Sequence, residues 1–202
     1  MIIRIQLAVK RAVDIMLSLA LLAALSPLLA VVALLVKYSS PGEIIFKQRR
    51  AGKNGRNFTI YKFRTMVQDA PKSTLGSYCY QDDPRLTGIG KILRKASLDE
   101  LPQFLNILKG EMSFVGPRPD LPHHAEKYSS FQRKRLRMKP GITGRAQVNG
   151  RNELSWDERI KLDVDYIETW SLLSDIKIIF KTVMVVLTGR GSQLPKKLGN
   201  LP

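Results

Sequence analysis

"IMLSLALLAALSPLLAVVALLV", residues 15–36, runs for 22 positions without a charge. As one helix it would extend about 33 Å, enough to cross a hydrocarbon core of about 30 Å. It is too long for a secretory signal, and no small-residue cleavage site precedes a mature start. A single transmembrane span is therefore the plainest reading. Ser26-Pro27, near the middle, argues against it. A mid-helix proline loses a hydrogen bond and clashes with the turn before it, at a cost of about 3 kcal/mol unless the helix bends. The Ser26 hydroxyl can satisfy a carbonyl freed by the bend.

Charge on the flanks supports the bend. Arg4, Lys10 and Arg11 precede the run, and Lys37, Lys47, Arg49 and Arg50 follow it. Positive charge is retained on the cytoplasmic side of a membrane, so a span would strand one basic flank outside. A helix that enters, breaks at Ser26-Pro27 and leaves by the same face keeps both flanks together. The expectation is a re-entrant helix-break-helix over residues 1–38, a cytoplasmic domain over 39–190, and a loose tail over 191–202.

The whole chain has 202 residues, room for one such domain with a real core. Its 33 basic residues face 17 acidic ones, a formal charge of +16 that calls for a polyanionic partner: nucleic acid, an anionic membrane or a phosphorylated substrate. The single cysteine, Cys79, excludes an intramolecular disulfide framework and a thiol-rich zinc site. It reads as a packed residue or a loop thiol.

Beyond the apolar run the pattern changes to period two. "EIIFKQ" and "NFTIYKF" read as strands joined by a turn at Asn54-Gly55. Residues 67–85 read as a loop. Leu86, Ile89, Leu93 and Ala96 share one helical face, with Lys91, Arg94 and Lys95 opposite. A second helix passes through Leu101, Phe104, Leu105 and Leu108 to a C-cap at Gly110. Ser155 with Glu158 forms a capping box for a helix through Ile167, and a last helix carries Ile176, Ile179, Phe180, Val183 and Leu187. The fold class is α/β: α-rich with a small β-hairpin or sheet.

Three motifs carry chemistry. "SLDELPQF" (97–104) sets Asp99 beside Glu100 in a basic chain. It is also a capping box, with Ser97 as N-cap and Glu100 at N3, which needs no function. Pro102 weakens that reading, because five residues past the cap it would cost an intrahelical bond. Adjacent helical residues point about 100° apart, so the two acids are suited to separate jobs, such as nucleophile and metal ligand. "GPRP" (116–119) holds Arg118 between two prolines, which lowers the entropy lost in aiming its planar fork at phosphate; the plainer reading is a surface ion pair. "GITGRAQVNGRN" (141–152) could approach phosphates through backbone N–H groups, but matches neither the P-loop nor the dinucleotide pattern. "QRKRLRMK" (132–139) lacks the interleaved aromatics of a nucleic-acid platform, so anionic lipid or solvent suits it better. His123 and His124 read as surface residues.

In order, "KRAVDIMLSLALLAALSPLL", "FKQRRAGKNGRNFTIYKFRTM", "LRKASLDELPQFLNILKGEMSFVGPRP" and "KPGITGRAQVNGRN" closely resemble the bacterial sugar transferase family, the monotopic phosphoglycosyl transferases. The likeness runs from about Lys10 to about Asp175, and the length matches the minimal catalytic form. The resemblance implies that Asp99 attacks the β-phosphate of a UDP-sugar, that UMP leaves, and that undecaprenyl phosphate then takes the phosphosugar. It implies that Glu100 and Mg²⁺ assist, with Asp99 and Glu100 at the metal, and that Arg118 meets the phosphates. Lys62, Arg64 and Arg94 are expected there for the same electrostatic reason. It also makes Ser26-Pro27 the break of a re-entrant helix. These expectations place the protein on the cytoplasmic face of the bacterial inner membrane, against anionic lipid, with no nucleic acid partner. Ala51 stands where many members carry proline or valine, and "PDLPHHAEKY" after Arg118 is variable in the family. The donor is expected to be a 2-acetamido-deoxy sugar, with galactose or glucose as the alternative. The pattern specifies neither the glycan pathway nor the oligomeric state.

Overall fold

The uncharged run breaks where its chemistry dictates. The computed structural model describes residues 2–67 and 83–188, and there α1 (Ile2–Ala24) and α2 (Ser26–Ser39) meet at a 65° bend across Leu25. Pro27 has no N–H to offer the carbonyl four residues back, that of Ala23. The Ser26 hydroxyl donates to that same Ala23 carbonyl at 2.8 Å. One residue creates the vacancy and its neighbour fills it. No single helix among the described residues is long and apolar enough to cross a membrane. The helices also extend past the uncharged run, to 23 and 14 residues.

The charged base of α1 is built into the rest of the molecule. Lys10 donates to Asp175 at 2.6 Å and to the Val115 carbonyl at 3.0 Å. Arg11 donates to the carbonyls of Ile107 and Leu108, at the C-terminal end of a helix, where a cation is favoured. Asp14 accepts from the Ser113 hydroxyl and the Phe114 N–H, each at 3.1 Å. Asp175 in turn receives the Tyr166 hydroxyl and the Trp170 indole N–H. A buried ion pair needs such further donors to offset its desolvation.

β1 (Ile45–Ala51) and β2 (Asn57–Phe63) pair antiparallel, with Lys47 opposite Tyr61. Their connection turns at Asn54 and Gly55, both at positive φ, as the Asn-Gly pair predicts. The free edge of β2 is covered by one side chain. Asn106 is fully buried; its amide oxygen accepts from the Tyr61 N–H and its amide nitrogen donates to the Thr59 carbonyl. Asn106 belongs to α4 (Phe104–Lys109), which ends on Gly110 at φ +81° as expected. A core of Phe58, Ile60, Phe104, Ile107 and Met112 lies between hairpin and helix, and Leu21, Leu22 and Leu25 at the bend pack against it. A second core joins Val32 and Val36 of α2 to Phe63 and to Leu93 of α3 (Gly88–Lys95).

β3 (Ser113–Val115) and β4 (Gly141–Thr143) form a short parallel pair. They explain two glycines of the loop read as a phosphate nest. A Cβ on Gly141 would come within 2.1 Å of the Gly116 nitrogen, and one on Gly144 within 2.2 Å of the Gly116 carbonyl oxygen. These glycines let backbone meet backbone, so their presence needs no anion.

The short helices α5 (Pro122–Glu126), α6 (Ser130–Arg133) and α7 (Arg145–Val148) lead to α8 (Trp156–Glu168), which opens on the expected box. Its two reciprocal bonds, Glu158 N–H to Ser155 Oγ and Ser155 N–H to Glu158 Oε2, are both made. α9 (Leu172–Thr188) closes the fold. The basic run 132–139 is neither a free lipid contact nor a solvated face throughout: Arg135 is buried and donates to Asp163 at 2.5 Å. His123 and His124 are exposed, as expected. Cys79 and the 191–202 tail lie outside the described residues, as does most of the loop at 67–85.

Candidate active site

The dyad sits on a 3-10 helix, Leu98–Gln103. Ser97, expected to cap it, is instead at φ +56°, and its side chain makes no capping bond. The capping-box reading of "SLDE" fails on geometry, because a left-handed residue aims its hydroxyl away from the first-turn N–H groups. Pro102 contributes no N–H, and α4 begins only at Phe104. Both acids are buried, each 8% exposed.

Their surroundings differ. Glu100 Oε1 accepts from Lys62 at 2.7 Å and from Arg118 at 2.9 Å. Burial alone would raise its pKa, but the Arg118 and Lys62 charges and their hydrogen bonds outweigh that and hold Glu100 well below the usual carboxylate range. Asp99 receives no hydrogen bond from a described side chain. Burial, then the neighbouring Glu100 charge, pushes its pKa up against the pull of Lys62, Arg94 and Arg118. One carboxylate is clamped and anionic; the other takes no hydrogen bond from a described side chain.

The expected phosphate ligands divide. Lys62 and Arg118 reach the dyad directly. Arg94 stays close enough to lower the Asp99 pKa while its Nε donates to Thr65 Oγ1 at 2.9 Å. Arg64 does not join them. It donates to the Val36 and Ser40 carbonyls at 2.8 and 2.6 Å, closing the C-terminal end of α2. The end of β2 is the reason: Lys62 and Arg64 are two apart and would share a face in a continuing strand, but β2 ends at Phe63, and Arg64 turns away with the chain. Both bonds come from one nitrogen, Nη2, and Arg64→Met is therefore expected to lower stability by about 1–2 kcal/mol, since both carbonyls lose their donor. The KM for a nucleotide donor should stay within about twofold. A melting curve beside a donor titration checks both.

Two further cations complete the site. Arg151 donates to Ser97 Oγ at 3.4 and 3.5 Å and is itself at φ +51°. Arg50 donates to Gln48 at 2.6 Å and to the Pro119 carbonyl at 3.4 Å. Burial and then the nearby Arg118 charge push both guanidinium pKa values down; Glu100 and Asp99 pull Arg151 up, and Asp120 and then Glu100 pull Arg50 up. Their mutual crowding marks a site short of negative charge. Five cations face two carboxylates, an excess suited to a diphosphate. Both arginines lie inside quoted motifs, but Arg50 sits in a basic run in which only the folded chain selects one, and Arg151 stands alone in a glycine-rich loop. The Arg118 side chain remains 46% exposed, so its fork is open to an incoming anion. Behind it, buried Arg135 donates to the Arg118 carbonyl at 2.9 Å and holds that segment in place.

The donor set fits Mg²⁺ in one arrangement. Among the described residues no group of three or more His, Cys, Asp or Glu converges as a metal cage. Mg²⁺ commonly takes one or two carboxylates and completes its shell with substrate phosphates and water. Asp99 offers an unbonded carboxylate, and Oε2 of Glu100 accepts from no described residue.

Comparison with known proteins gives a consistent picture. A family model described as "Bacterial sugar transferase" matches residues 5–189. The chain is 45% identical over 197 residues to the exopolysaccharide production protein ExoY of Sinorhizobium fredii, covering 91% of this chain and 87% of that one. It is 46% identical over 183 residues to the UDP-glucose:undecaprenyl-phosphate glucose-1-phosphate transferase of Escherichia coli, covering 86% of this chain and 39% of that one. It is 42% identical over 192 residues to the UDP-N-acetylgalactosamine-undecaprenyl-phosphate N-acetylgalactosaminephosphotransferase of Aeromonas hydrophila, covering 92% and 45%. This chain therefore spans less than half the length of the latter two relatives.

Proposed function

The chain belongs to the bacterial sugar transferase family, and from that premise we propose that it transfers a sugar phosphate from a UDP-sugar to undecaprenyl phosphate at the cytoplasmic face of the inner membrane, releasing UMP. The observation that carries this reading is the asymmetry of the dyad: an unbonded Asp99 beside a Glu100 held by Lys62 and Arg118. Asp99 Oδ attacks the β-phosphorus, and the bond from that phosphorus to the bridging oxygen breaks, so that UMP leaves with the electron pair. An oxygen of the acceptor phosphate then attacks the same phosphorus and returns Asp99 to its carboxylate. Two displacements replace one between poor partners. Glu100 aims Lys62 and Arg118, which together with Arg94, Arg151 and Arg50 offset charge as it moves onto the bridging oxygen. Mg²⁺, held by Asp99, Glu100 and the diphosphate, would supply further charge neutralisation. Relatives act on both UDP-glucose and UDP-N-acetylgalactosamine, so a panel of UDP-sugars with polyprenyl phosphate and Mg²⁺, read by UMP release, selects the donor. A 2-acetamido-deoxy sugar is expected to give the highest kcat/KM. No UMP from any member of the panel would overturn the proposal.

The same reading makes α1 and α2 a re-entrant hairpin. Their outer surfaces leave Val13, Met16 and Leu19, and Leu28, Val31, Leu34 and Leu35, exposed, as lipid contact would require. Single cysteines at Ile5 and Thr188, in a Cys79→Ser background, should both resist a membrane-impermeant maleimide in intact cells. Labelling at residue 5 alone would mean a span. Replacing Ser26 and Pro27 with Ala and Leu removes the break, and residue 5 should then become reactive from outside.

A further inference from the structure

Arg135 and Asp163 form a buried ion pair that touches neither acid of the dyad. Arg135 sits on a 3-10 turn, Lys134–Arg137, and Asp163 on α8. They are 5% and 1% exposed and lie 2.5 Å apart. Such a pair is a weak source of stability. Taking two charges out of water costs more than their attraction returns unless the remaining donors and acceptors are also satisfied. Here they are not: among the described residues Arg135 Nε and Asp163 Oδ1 find no partner. Burial pushes the Asp163 carboxyl up to about 6 even against the pull of Arg135, a sign of the same cost. An apolar pair of similar size would serve the fold as well. Something other than stability calls for these charges.

What the pair grips is the segment that carries Arg118. Arg135 Nη2 gives one hydrogen to Asp163 and the other to the Arg118 carbonyl at 2.9 Å, so the carboxylate sets the direction of the bond that the carbonyl receives. Arg135 Nη1 donates to the Tyr128 hydroxyl at 2.7 Å, and that hydroxyl donates to Asp120 Oδ2 at 2.6 Å. The rings of Trp156 and Tyr128 lie 5.4 and 5.6 Å from the guanidinium. The carbonyls on either side are held too: Pro117 by the Gly141 N–H, Pro119 by Arg50 and Asp120 by the Ala51 N–H. Of these four, only the Arg118 carbonyl depends on a buried ion pair.

Arg118 is where a small shift matters. Its fork meets Glu100 at 2.9 Å while nearly half of the side chain stays exposed, so its backbone does much of the aiming. A misplacement of about 1 Å at a substrate-positioning group can cost on the order of 10²-fold in rate. We propose that Arg135 and Asp163 are positioning residues for Arg118: together they fix the carbonyl from which the fork is aimed at the donor diphosphate.

The test removes both charges at once, Arg135→Met with Asp163→Leu, so that neither is left unpaired. This double variant should melt within a few degrees of the parent, yet its kcat/KM for the UDP-sugar should fall about tenfold. A pair that acts through Arg118 has nothing left to aim once the fork is gone. The same double change made on Arg118→Ala should therefore alter kcat/KM by less than about twofold. A similar loss in both backgrounds, or no loss with Arg118 present, would overturn the proposal. Should the double variant fail to fold, Asp163→Asn keeps the shape and one acceptor, and about threefold is expected in place of tenfold. These kinetic arms rest on the transferase reading, and a second readout does not. In protein labelled with ¹⁵N-arginine, the Arg118 Nε–H signal, identified by its loss in Arg118→Ala, should shift or broaden in the variants. An unchanged signal would overturn the proposal even if no donor is turned over. A parent that releases no UMP refutes the transferase reading alone.

Discussion

Asp99→Asn is expected to cut UMP release by at least about 10³-fold and to abolish the covalent adduct, while leaving the protein as stable at pH 7 as the parent or more so. The activity loss follows from removing an attacking oxygen anion that no nearby group replaces. The stability result follows from the direction of the pKa. Burial and Glu100 raise the Asp99 pKa above its ordinary 3.8. A group whose folded pKa is raised favours the protonated form, so its charge weakens the fold increasingly as pH rises from about 4 toward neutrality. Asparagine never acquires that charge. The melting temperature of the variant relative to the parent should therefore be higher at pH 7 than at pH 4. A helix cap would behave otherwise, since its loss costs about 1 kcal/mol whatever the activity.

One residue on, the sign reverses. Glu100→Gln should destabilise the protein by about 2–3 kcal/mol and slow turnover about 10²–10³-fold. The Lys62 side chain is only 18% exposed and would lose its nearest counter-charge. The Arg118 pair is half-exposed and contributes less, which is why the figure lies below that for a fully buried pair. Lys62 is already pushed down by burial, against the pull of Glu100, so losing that carboxylate brings it nearer to giving up its proton. The Glu100 pKa is depressed below its ordinary 4.5, so its contribution is full above about pH 4.5 and is lost as pH falls through the folded value. The parent should lose this increment on acidification, whereas Glu100→Gln should not. Thermal unfolding at pH 7, at pH 4 for Asp99 and at about pH 2 for Glu100 would separate the two neighbours, and equal shifts for both would show that the dyad is not divided.

What was legible in the sequence follows from how local the determinants are. The break at Ser26-Pro27, the Asn54-Gly55 turn, the Ser155–Glu158 box and the Gly110 cap are each decided within a few residues, and each is observed. Lys62 and Arg118 were expected at the substrate phosphates; their pairing with Glu100 is a tertiary contact that no local signal announces. Arg64 was misassigned because its charge alone does not say which carbonyls its strand end will face. Asn106, Arg151 and the Arg135–Asp163 pair were missed for a related reason: nothing within ten residues of any of them distinguishes a polar side chain buried by tertiary packing from one left in water. Gly141 and Gly144, in a loop that could have approached a phosphate, instead lie against the Gly116 backbone, a partner 25 or more residues away in the chain.

The bond between Lys10 and Asp175 also constrains the order of synthesis. It joins positions 165 residues apart, and the same lysine holds the Val115 carbonyl midway. At 5–20 residues per second the ribosome needs about 8–33 s to travel from one to the other. Through that interval α1 and α2 are complete while Lys10 waits for a partner not yet made. α9 then supplies the carboxylate that ties the base of α1 to Tyr166 and Trp170. A chain stalled before residue 175 would leave Lys10 without its carboxylate, and the segment so loosened would be open to a protease.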